Sequence, residues 1–229
     1  MNFEKKRCQA IDLLNKVTAN HSPAVFTTSF GAEDMVLMDI IGQNAFDIEI
    51  VTLDTGRLHE ETYKLMQEVL LYYNLRFKTY CPDSSELEEY INQSGINGFY
   101  RSVDQRKACC QIRKINPLKR ALRGKKSWIT GLRRDQSVER QGVQIQFFDD
   151  YYKVDKFSPL AEWTSDDVWE YIRNYRVPYN QLHDQNYPSI GCQPCTRPIQ
   201  PGDHIRSGRW WWENAVVKEC GLHGIGCKK

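Results

Sequence analysis

Two pairs of cysteines are spaced as metal ligands. Cys109 and Cys110 are adjacent in "KACCQIRK", and Cys192 and Cys195 form the CxxC pair of "GCQPC". A disulfide between neighbours is strained, because its geometry needs Cα atoms further apart than one peptide step. Four thiolates match the ligand number of an iron–sulfur cluster, and adjacent ligands suit the several irons of a [4Fe-4S] cube better than one zinc ion. From spacing alone, a four-cysteine zinc site and buried free thiols stay open as the alternatives.

A further cysteine, Cys220, lies in the polar segment "KECGLH" near the C-terminus. A nucleophilic cysteine needs exposure and a nearby cation that favours the thiolate. Lys218 and His223 flank Cys220 in the sequence, so the segment has the residue types for such a nucleophile. The alternative is an incidental thiol in a frayed tail, and the local sequence alone favours that alternative.

The composition is that of an ordinary globular chain. Of its 229 residues 41% are hydrophobic and 26% charged, and the net charge of +2 gives no global signature of polyanion binding. The N-terminus lacks the apolar region of a secretory signal, and no apolar run approaches membrane-spanning length. We therefore expect a cytoplasmic protein with no membrane or nucleic-acid partner. In that compartment clustered cysteines indicate metal or redox chemistry, whereas Cys8 and Cys81, in apolar patterns, are predicted to be inert core thiols.

Strand and helix patterns alternate along the chain. Strands are predicted at "AVFTTS", "IEIVTLD", "RFKTYC" and "SWITGL", followed by a hairpin from "VQIQFF" to "YYKVDKF". Three helices are predicted in the first part of the chain: at about residues 3–19, after "FGAEDM", and from "TGRLHEE" to about Tyr73. Three more are predicted at "SELEEYINQ" behind a Ser84 or Ser85 cap, at 101–123 with an interruption at Pro117, and at "TSDDVWEYIRNY". This alternation predicts an open α/β sheet with flanking helices. Ligands in such sheets bind beyond the carboxyl ends of the strands, so the loops after strands one, two and four are expected to meet at one crevice.

The domain organisation is predicted to be simple. Residues 1–229 form one domain, with 1–22 as an N-terminal helical extension. Beyond Pro178 the pattern is loop-rich, and 213–229 is expected to be a mobile C-terminal segment that carries Cys220.

Two loops at the predicted crevice carry candidate ligand contacts. In "TTSFGAED", Thr28, Ser29 and Gly31 can offer hydroxyls, backbone N–H groups and a helix N-terminus to an anion, although the loop lacks the lysine of a P-loop. In "LDTGRLH", Arg57 faces the crevice either as a nucleotide contact or as part of a structural ion pair.

Seven stretches together resemble the assimilatory adenylyl-sulfate (adenosine 5′-phosphosulfate, APS) reductases of the phosphoadenylyl-sulfate reductase family. They occur in that family's order: "SFGAEDMVL", "LDTGRLHEETY", "CCQIRK", "GLRRDQS", "LHDQNYPSIGCQPCTRP", "GRWWWE" and "KECGLH". The resemblance extends from about Val25 to His223. It implies a fold similar to the adenine nucleotide alpha hydrolases, with a mainly parallel sheet and a loop-rich C-terminal segment.

The resemblance also implies a reaction, in which APS and reduced thioredoxin give sulfite, AMP and oxidised thioredoxin. By match, Cys220 is the nucleophile that becomes an S-sulfocysteine, which thioredoxin or a similar dithiol donor then attacks. The four paired cysteines carry over as ligands of a [4Fe-4S] cluster that stabilises charge and structure without carrying net electrons. Such a reductase serves sulfate assimilation and cysteine biosynthesis, and we expect it to be a homo-oligomer.

The substrate is anionic, so fixed positive charge is needed where a thiolate approaches it. By family match the preferred anion contacts are Lys114, Arg140, Arg206 and Arg209, with Gly131 of "GLRRDQS" as a further substrate contact. For each cation taken singly, a solvated surface role is the alternative. Cys227 departs from the usual motif, and it is either an incidental tail thiol or a second thiol that resolves sulfated Cys220.

Three other functions compete with this interpretation. The first is reduction of 3′-phosphoadenylyl sulfate (PAPS) or of both nucleotides, although PAPS enzymes generally lack the cluster cysteines. The second is an ATP pyrophosphatase of related fold, whose SGGxDS motif "SFGAEDM" does not match. The third is a zinc-stabilised RNA-binding module, for which no basic-aromatic recognition motif is visible.

Overall fold

A computed structural model describes residues 2–137, 140–213 and 222 of the chain. Its centre is a six-stranded sheet in the order β3-β2-β1-β4-β6-β5. The strands are β1 (Ala24–Thr28), β2 (Ile48–Leu53), β3 (Lys78–Tyr80), β4 (Ser127–Ile129), β5 (Gln146–Asp149) and β6 (Val154–Phe157). All pairs are parallel except the β5–β6 hairpin, so the predicted, mainly parallel α/β sheet is confirmed.

Seven α-helices are described around this sheet. They are α1 (Phe3–Asn20), α2 (Ala32–Gln43), α3 (Glu60–Tyr73), α4 (Ser84–Ser94), α5 (Val103–Cys110), α6 (Asn116–Leu122) and α7 (Ser165–Tyr175). A π-helical turn, Gln111–Ile115, joins α5 to α6. Within the described residues, no helix has both the length and the apolar character needed to cross a membrane.

Two buried clusters hold the layers together. The larger one joins α1, α2 and α7 to one face of the sheet, and it includes Leu14, Val17 and the fully buried Phe26. The smaller one, on α6 and the other face, includes Leu118 and Trp128. The N-terminal helix therefore packs into the main core through one face of its surface.

Two local predictions were wrong and a third was confirmed. The N-cap of α4 is Asp83, whose carboxylate accepts the backbone N–H groups of Ser85 and Glu86, because a carboxylate one residue earlier outcompetes the two serines. The predicted interruption at Pro117 is confirmed, because the π-helical turn Gln111–Ile115 ends there and Pro117 lies in the first turn of α6, where its missing N–H is not needed. Cys8 and Cys81 are exposed thiols rather than core residues.

Candidate active site

The loops after β1, β2 and β4 meet at the carboxyl edge of the sheet, as predicted. The chain runs outward from β1 to β2 and β3 and then returns to the other side of β1 as β4, so β1 lies at a topological switch point. A crevice opens there. Eight of the nine predicted substrate contacts line it: Thr28, Ser29, Gly31, Lys114, Gly131, Arg140, Arg206 and Arg209.

A buried carboxylate organises the loop between β1 and α2. Oδ2 of Asp34 accepts hydrogen bonds from the backbone N of Ser29 at 2.6 Å and from its Oγ at 2.8 Å. On its other side Asp34 faces Gly131, and a Cβ added to Gly131 would lie 2.4 Å from Asp34 Oδ1. Gly131 therefore lets the loop after β4 approach the loop after β1 closely.

The same carboxylate has an unusual pKa. Burial raises the pKa of Asp34 to about 6, against the opposing hydrogen bonds from Ser29, and the charge of the adjacent Glu33 raises it further. Glu33 itself is paired with Arg133, whose Nη2 lies 2.8 Å from Oε1. This pairing outweighs burial and lowers the pKa of Glu33. The anion-facing loop thus carries one paired acid and one acid that is easily protonated.

The opposite wall of the crevice is basic. Arg209 is buried, and its Nη1 donates to Ser189 Oγ at 3.3 Å and to the Ile190 carbonyl at 3.2 Å. A Cβ on Gly191 would lie 2.4 Å from Nη2 of Arg209, so only glycine leaves room for the guanidinium. Arg140 contacts Gln136 through Nη1 at 2.5 Å, and Arg206 lies over the Trp210 ring.

A second, smaller cavity adjoins the crevice and holds the predicted metal ligands. All four cysteines, Cys109, Cys110, Cys192 and Cys195, line it. Five cationic side chains complete the lining: Arg57, Arg106, Arg113, Lys114 and Arg209. We call this space the thiol cavity. Lys114, Arg209 and Trp210 line both the thiol cavity and the crevice, so the two sites share a wall.

The helix α5 explains how two adjacent thiols reach one cavity. Ser102 caps the helix through the backbone N of Gln105, and Cys109 and Cys110 are its last two residues. Arg106 and Arg113 lie three to four residues on either side of this pair, which places cations next to the thiols along the helix. Arg113 Nη1 donates to the Thr55 carbonyl at 2.6 Å, and Thr55 Oγ1 lies 3.3 Å from Cys192 Sγ.

The thiol pKa values reflect this crowding. Burial, with the neighbouring Cys192 charge added, raises the pKa of Cys195 to about 12. Burial also raises the pKa of Cys109. Burial acts in the same direction on Cys192, but Lys114, the Thr55 hydrogen bond and further cations outweigh it and lower the pKa of Cys192. Only compensating positive charge would let all four sulfurs carry negative charge together.

The thiol cavity offers donors as well as ligands. In the part of the chain that the structure describes, three buried donors on this wall have no hydrogen-bond partner: Arg113 Nε, Arg209 Nε and Trp210 Nε1. Buried donors are normally paired, so these three are available to a bound acceptor on this wall. No group of three or more Cys, His, Asp or Glu side chains in the described ranges is arranged to hold a single metal ion.

One predicted substrate contact, Arg57, does not line the crevice. Arg57 lines the thiol cavity instead, donating to the Ile96 carbonyl at 2.6 Å and to Asn97 Oδ1 at 2.9 Å and stacking over Phe99. The preceding residue, Gly56, has a φ of +67°, and the following residue, Leu58, lines the crevice. Cys220 lies outside the described residues, as do Cys227 and most of the segment predicted to be mobile. Leu222, two residues after Cys220, lines the crevice and packs on the cluster that includes Leu118 and Trp128.

Several site residues were not identified from the sequence. Arg106 and Arg113 could have been found, since helical spacing from Cys109 and Cys110 places them beside the thiols. Asp34 and Gly191 gave no such signal. Their roles depend on Gly131 and Arg209, which only the folded chain brings to them.

The sequence and structure comparisons give consistent results. A protein-family model, the phosphoadenosine phosphosulfate reductase domain, matches residues 23–198. An adenosine 5′-phosphosulfate reductase from Allochromatium vinosum is 50% identical over 218 residues, which cover 95% of this chain and 85% of that protein. An adenosine 5′-phosphosulfate reductase from Burkholderia cepacia is 44% identical over 211 residues, which cover 92% of this chain and 84% of that protein.

Solved structures extend the similarity to the fold. The phosphoadenylyl-sulfate (PAPS) reductase from Candida auris, in a phosphate complex, matches with a TM-score of 0.71 and 27% identity over 82% of this chain and 90% of that one. FMN adenylyltransferase from Candida glabrata matches with a TM-score of 0.58 and 14% identity, over 95% of this chain and 76% of that one. The second match concerns the fold alone, and it agrees with the predicted nucleotide alpha hydrolase-like sheet.

Proposed function

Since this chain belongs to the phosphoadenosine phosphosulfate reductase domain family, we propose that it reduces adenosine 5′-phosphosulfate to sulfite and AMP with electrons from a dithiol donor such as thioredoxin. Curated relatives of 44% to 50% identity are named for this substrate. One structural observation carries the proposal: Lys114 and Arg209 line both the crevice and the thiol cavity. A sulfonate between these cations would lie beside the cysteine site and within the nucleotide crevice.

Different crevice residues would contact different groups of the substrate. The first turn of α2, whose N-cap is Gly31, offers backbone N–H groups to a phosphate at the carboxyl edge of β1, while Ser29 supports this loop through its two hydrogen bonds to Asp34. Arg140, Arg206 and Arg209 supply fixed charge on the facing wall. Such preorganised charge offsets the repulsion between an anionic sulfonate and an approaching thiolate, and one such contact is worth about 10²- to 10³-fold in rate.

Cys220 is the proposed nucleophile. Its thiolate attacks the sulfonate sulfur, forming an S–S bond while the S–O bond to the AMP phosphate breaks and AMP leaves with that electron pair. A donor thiolate then attacks Cys220 Sγ, so the S–S bond breaks and sulfite is expelled. The second donor thiol attacks the mixed disulfide, which frees Cys220 and leaves the donor as a disulfide. Two electrons thus pass from the dithiol to the sulfonate sulfur. Support comes from Leu222, which lines the crevice two residues after Cys220.

The thiol cavity fits the donor set of a [4Fe-4S] cluster, held by Cys109, Cys110, Cys192 and Cys195. Four thiols, five flanking cations and three unpaired donors support this assignment. The cavity between the side chains measures about 20 Å³, so binding requires the thiols to open outward. When bound, the cluster would supply electrostatic and structural support beside the sulfonate rather than net electrons.

The test is an anaerobic turnover assay with a dithiol donor, which measures sulfite and AMP. We expect APS to yield both, Cys220→Ser to yield neither, and the matched Cys227→Ser to retain turnover. Equal or faster turnover of PAPS would favour the PAPS or dual-specificity alternative. Absence of sulfite from both nucleotides, with a protein that binds zinc and not iron, would refute the proposal.

A further inference from the structure

A buried ion pair joins the thiol cavity to the chain that leads to Cys220. Nε of Arg106 donates to Oε1 of Glu213 at 2.8 Å, and Nη2 donates to Oε2 at 3.0 Å. The two side chains are only 1% and 3% exposed. This two-point contact fixes the orientation of the carboxylate as well as its distance.

Arg106 contacts the thiol site at the same time. It lies on α5, lines the thiol cavity, and stacks over the Trp210 ring at 4.5 Å. Burial lowers its pKa, but the hydrogen bond and charge of Glu213, with a smaller contribution from Cys110, raise the pKa above its ordinary value. The guanidinium therefore lies between a predicted cluster ligand and the acid that precedes Cys220 by seven residues.

A buried pair of this kind is weak support for stability, because desolvation of both charges opposes their attraction. The structural consequence of the Arg106–Glu213 pair is that it fixes the position of the chain around Glu213. Trp210, Trp212 and Glu213 are held against α5 and the thiol cavity, whereas Trp211 is exposed. Glu213, which precedes Cys220 by seven residues, is thus held at a defined point beside the thiol cavity.

We propose that Arg106 is a positioning residue, which binds Glu213 to fix the start of the Cys220 segment against the thiol cavity. This inference rests on the proposed function, because it assigns Cys220 as the nucleophile. Arg106 and Glu213 do not touch the reacting atoms. They set the point from which the segment reaches the crevice.

Glu213→Gln is the primary test, because it keeps the size of the side chain and removes its charge. We expect the Glu213→Gln variant, purified without oxygen, to keep its iron and its AMP affinity. Formation of the Cys220 sulfonate from APS without reductant should slow by about 100-fold, which is the effect of misplacing a reacting group by about 1 Å. Trypsin should also cleave after Lys218 faster than in the unsubstituted protein, a readout that does not depend on activity.

A matched control distinguishes positioning from general stability. Lys156 and Asp149 form another ion pair with side chains 1% and 3% exposed, on β6 and β5 and outside the lining of the crevice. Asp149→Asn should leave both the adduct rate and the cleavage after Lys218 unchanged. An unchanged adduct rate in Glu213→Gln, or an equal loss in Asp149→Asn, would overturn the proposal.

If Glu213→Gln does not fold, the double variant Arg106→Met with Glu213→Leu tests the same point without leaving a buried charge unpaired. We expect it to fold and to react slowly, and a reaction at the unsubstituted rate would overturn the proposal. If the unsubstituted protein forms no adduct, the proposed function fails. The comparison of cleavage after Lys218 still decides whether the pair anchors the segment.

Discussion

Asp34→Asn should stabilise the protein at neutral pH, although it removes a charge from a buried, hydrogen-bonded site. Asp34 is 8% exposed, and its Oδ2 accepts two hydrogen bonds from Ser29. An asparagine Oδ1 can accept the same two bonds without ionising. The substitution therefore removes the cost of burying a carboxylate while leaving the Ser29 contacts in place.

The magnitude follows from the raised pKa. Folding changes the pKa of Asp34 from 3.8 to about 6, so the folded protein binds this proton more tightly than the unfolded chain does. The stabilising contribution of the protonated form is complete below pH 3.8 and is lost as pH rises through 6. A shift of about 2.2 pH units corresponds to about 3 kcal/mol of lost stability above neutral pH.

Urea unfolding of both proteins at several pH values measures this effect. Between about pH 5 and about pH 8, the stability advantage of Asp34→Asn should grow by about 1.4 kcal/mol. Asp83→Asn is the matched control, because hydrogen bonds from Ser85 and Glu86 lower the pKa of Asp83 and its substitution should instead cost stability at neutral pH. A pH-independent difference between Asp34→Asn and the unsubstituted protein would show that ionisation of Asp34 does not destabilise the fold.

Two further substitutions test the division between the crevice and the thiol cavity. Gly191→Ala should displace the Arg209 guanidinium, because the added Cβ would lie 2.4 Å from it. AMP binding, measured by calorimetry, should weaken by about 1–3 kcal/mol. Unchanged AMP affinity would show that Arg209 does not contact the nucleotide. Arg57→Gln should reduce the iron content after anaerobic purification but leave AMP affinity unaltered, because Arg57 lines only the thiol cavity; the opposite pattern would restore Arg57 as a nucleotide contact.

Local patterns were sufficient to predict the sheet and the position of its ligand site. Alternation of strands with helices predicted the open α/β sheet, and the carboxyl-edge rule predicted that the loops after strands one, two and four meet at one crevice. The family resemblance, not a local pattern, assigned Lys114, Gly131 and Arg140 to that crevice. The exposure of Cys8 was not predicted, because the buried face of α1 follows Ala10, Leu14 and Val17 rather than the cysteine. A shift of two residues along a helix is enough to move a side chain off that face.

Contacts between distant residues could not be predicted from the sequence. Arg106 and Glu213 are separated by 107 residues, and neither has a local pattern that identifies the other as its partner. The position of Arg57 depended on a turn with positive φ at Gly56, which directs the side chain toward Ile96 and Asn97. Pairing and backbone direction of this kind are set by the folded chain as a whole.

The most direct test of the central claim is a single-turnover experiment. Protein purified without oxygen is incubated with sulfur-labelled APS and no reductant, and each cysteine peptide is examined by mass spectrometry for an added sulfonate. We expect stoichiometric label on Cys220, release of AMP, and about four irons per chain before and after the reaction. Label on another cysteine, or AMP release without any labelled cysteine, would contradict this expectation.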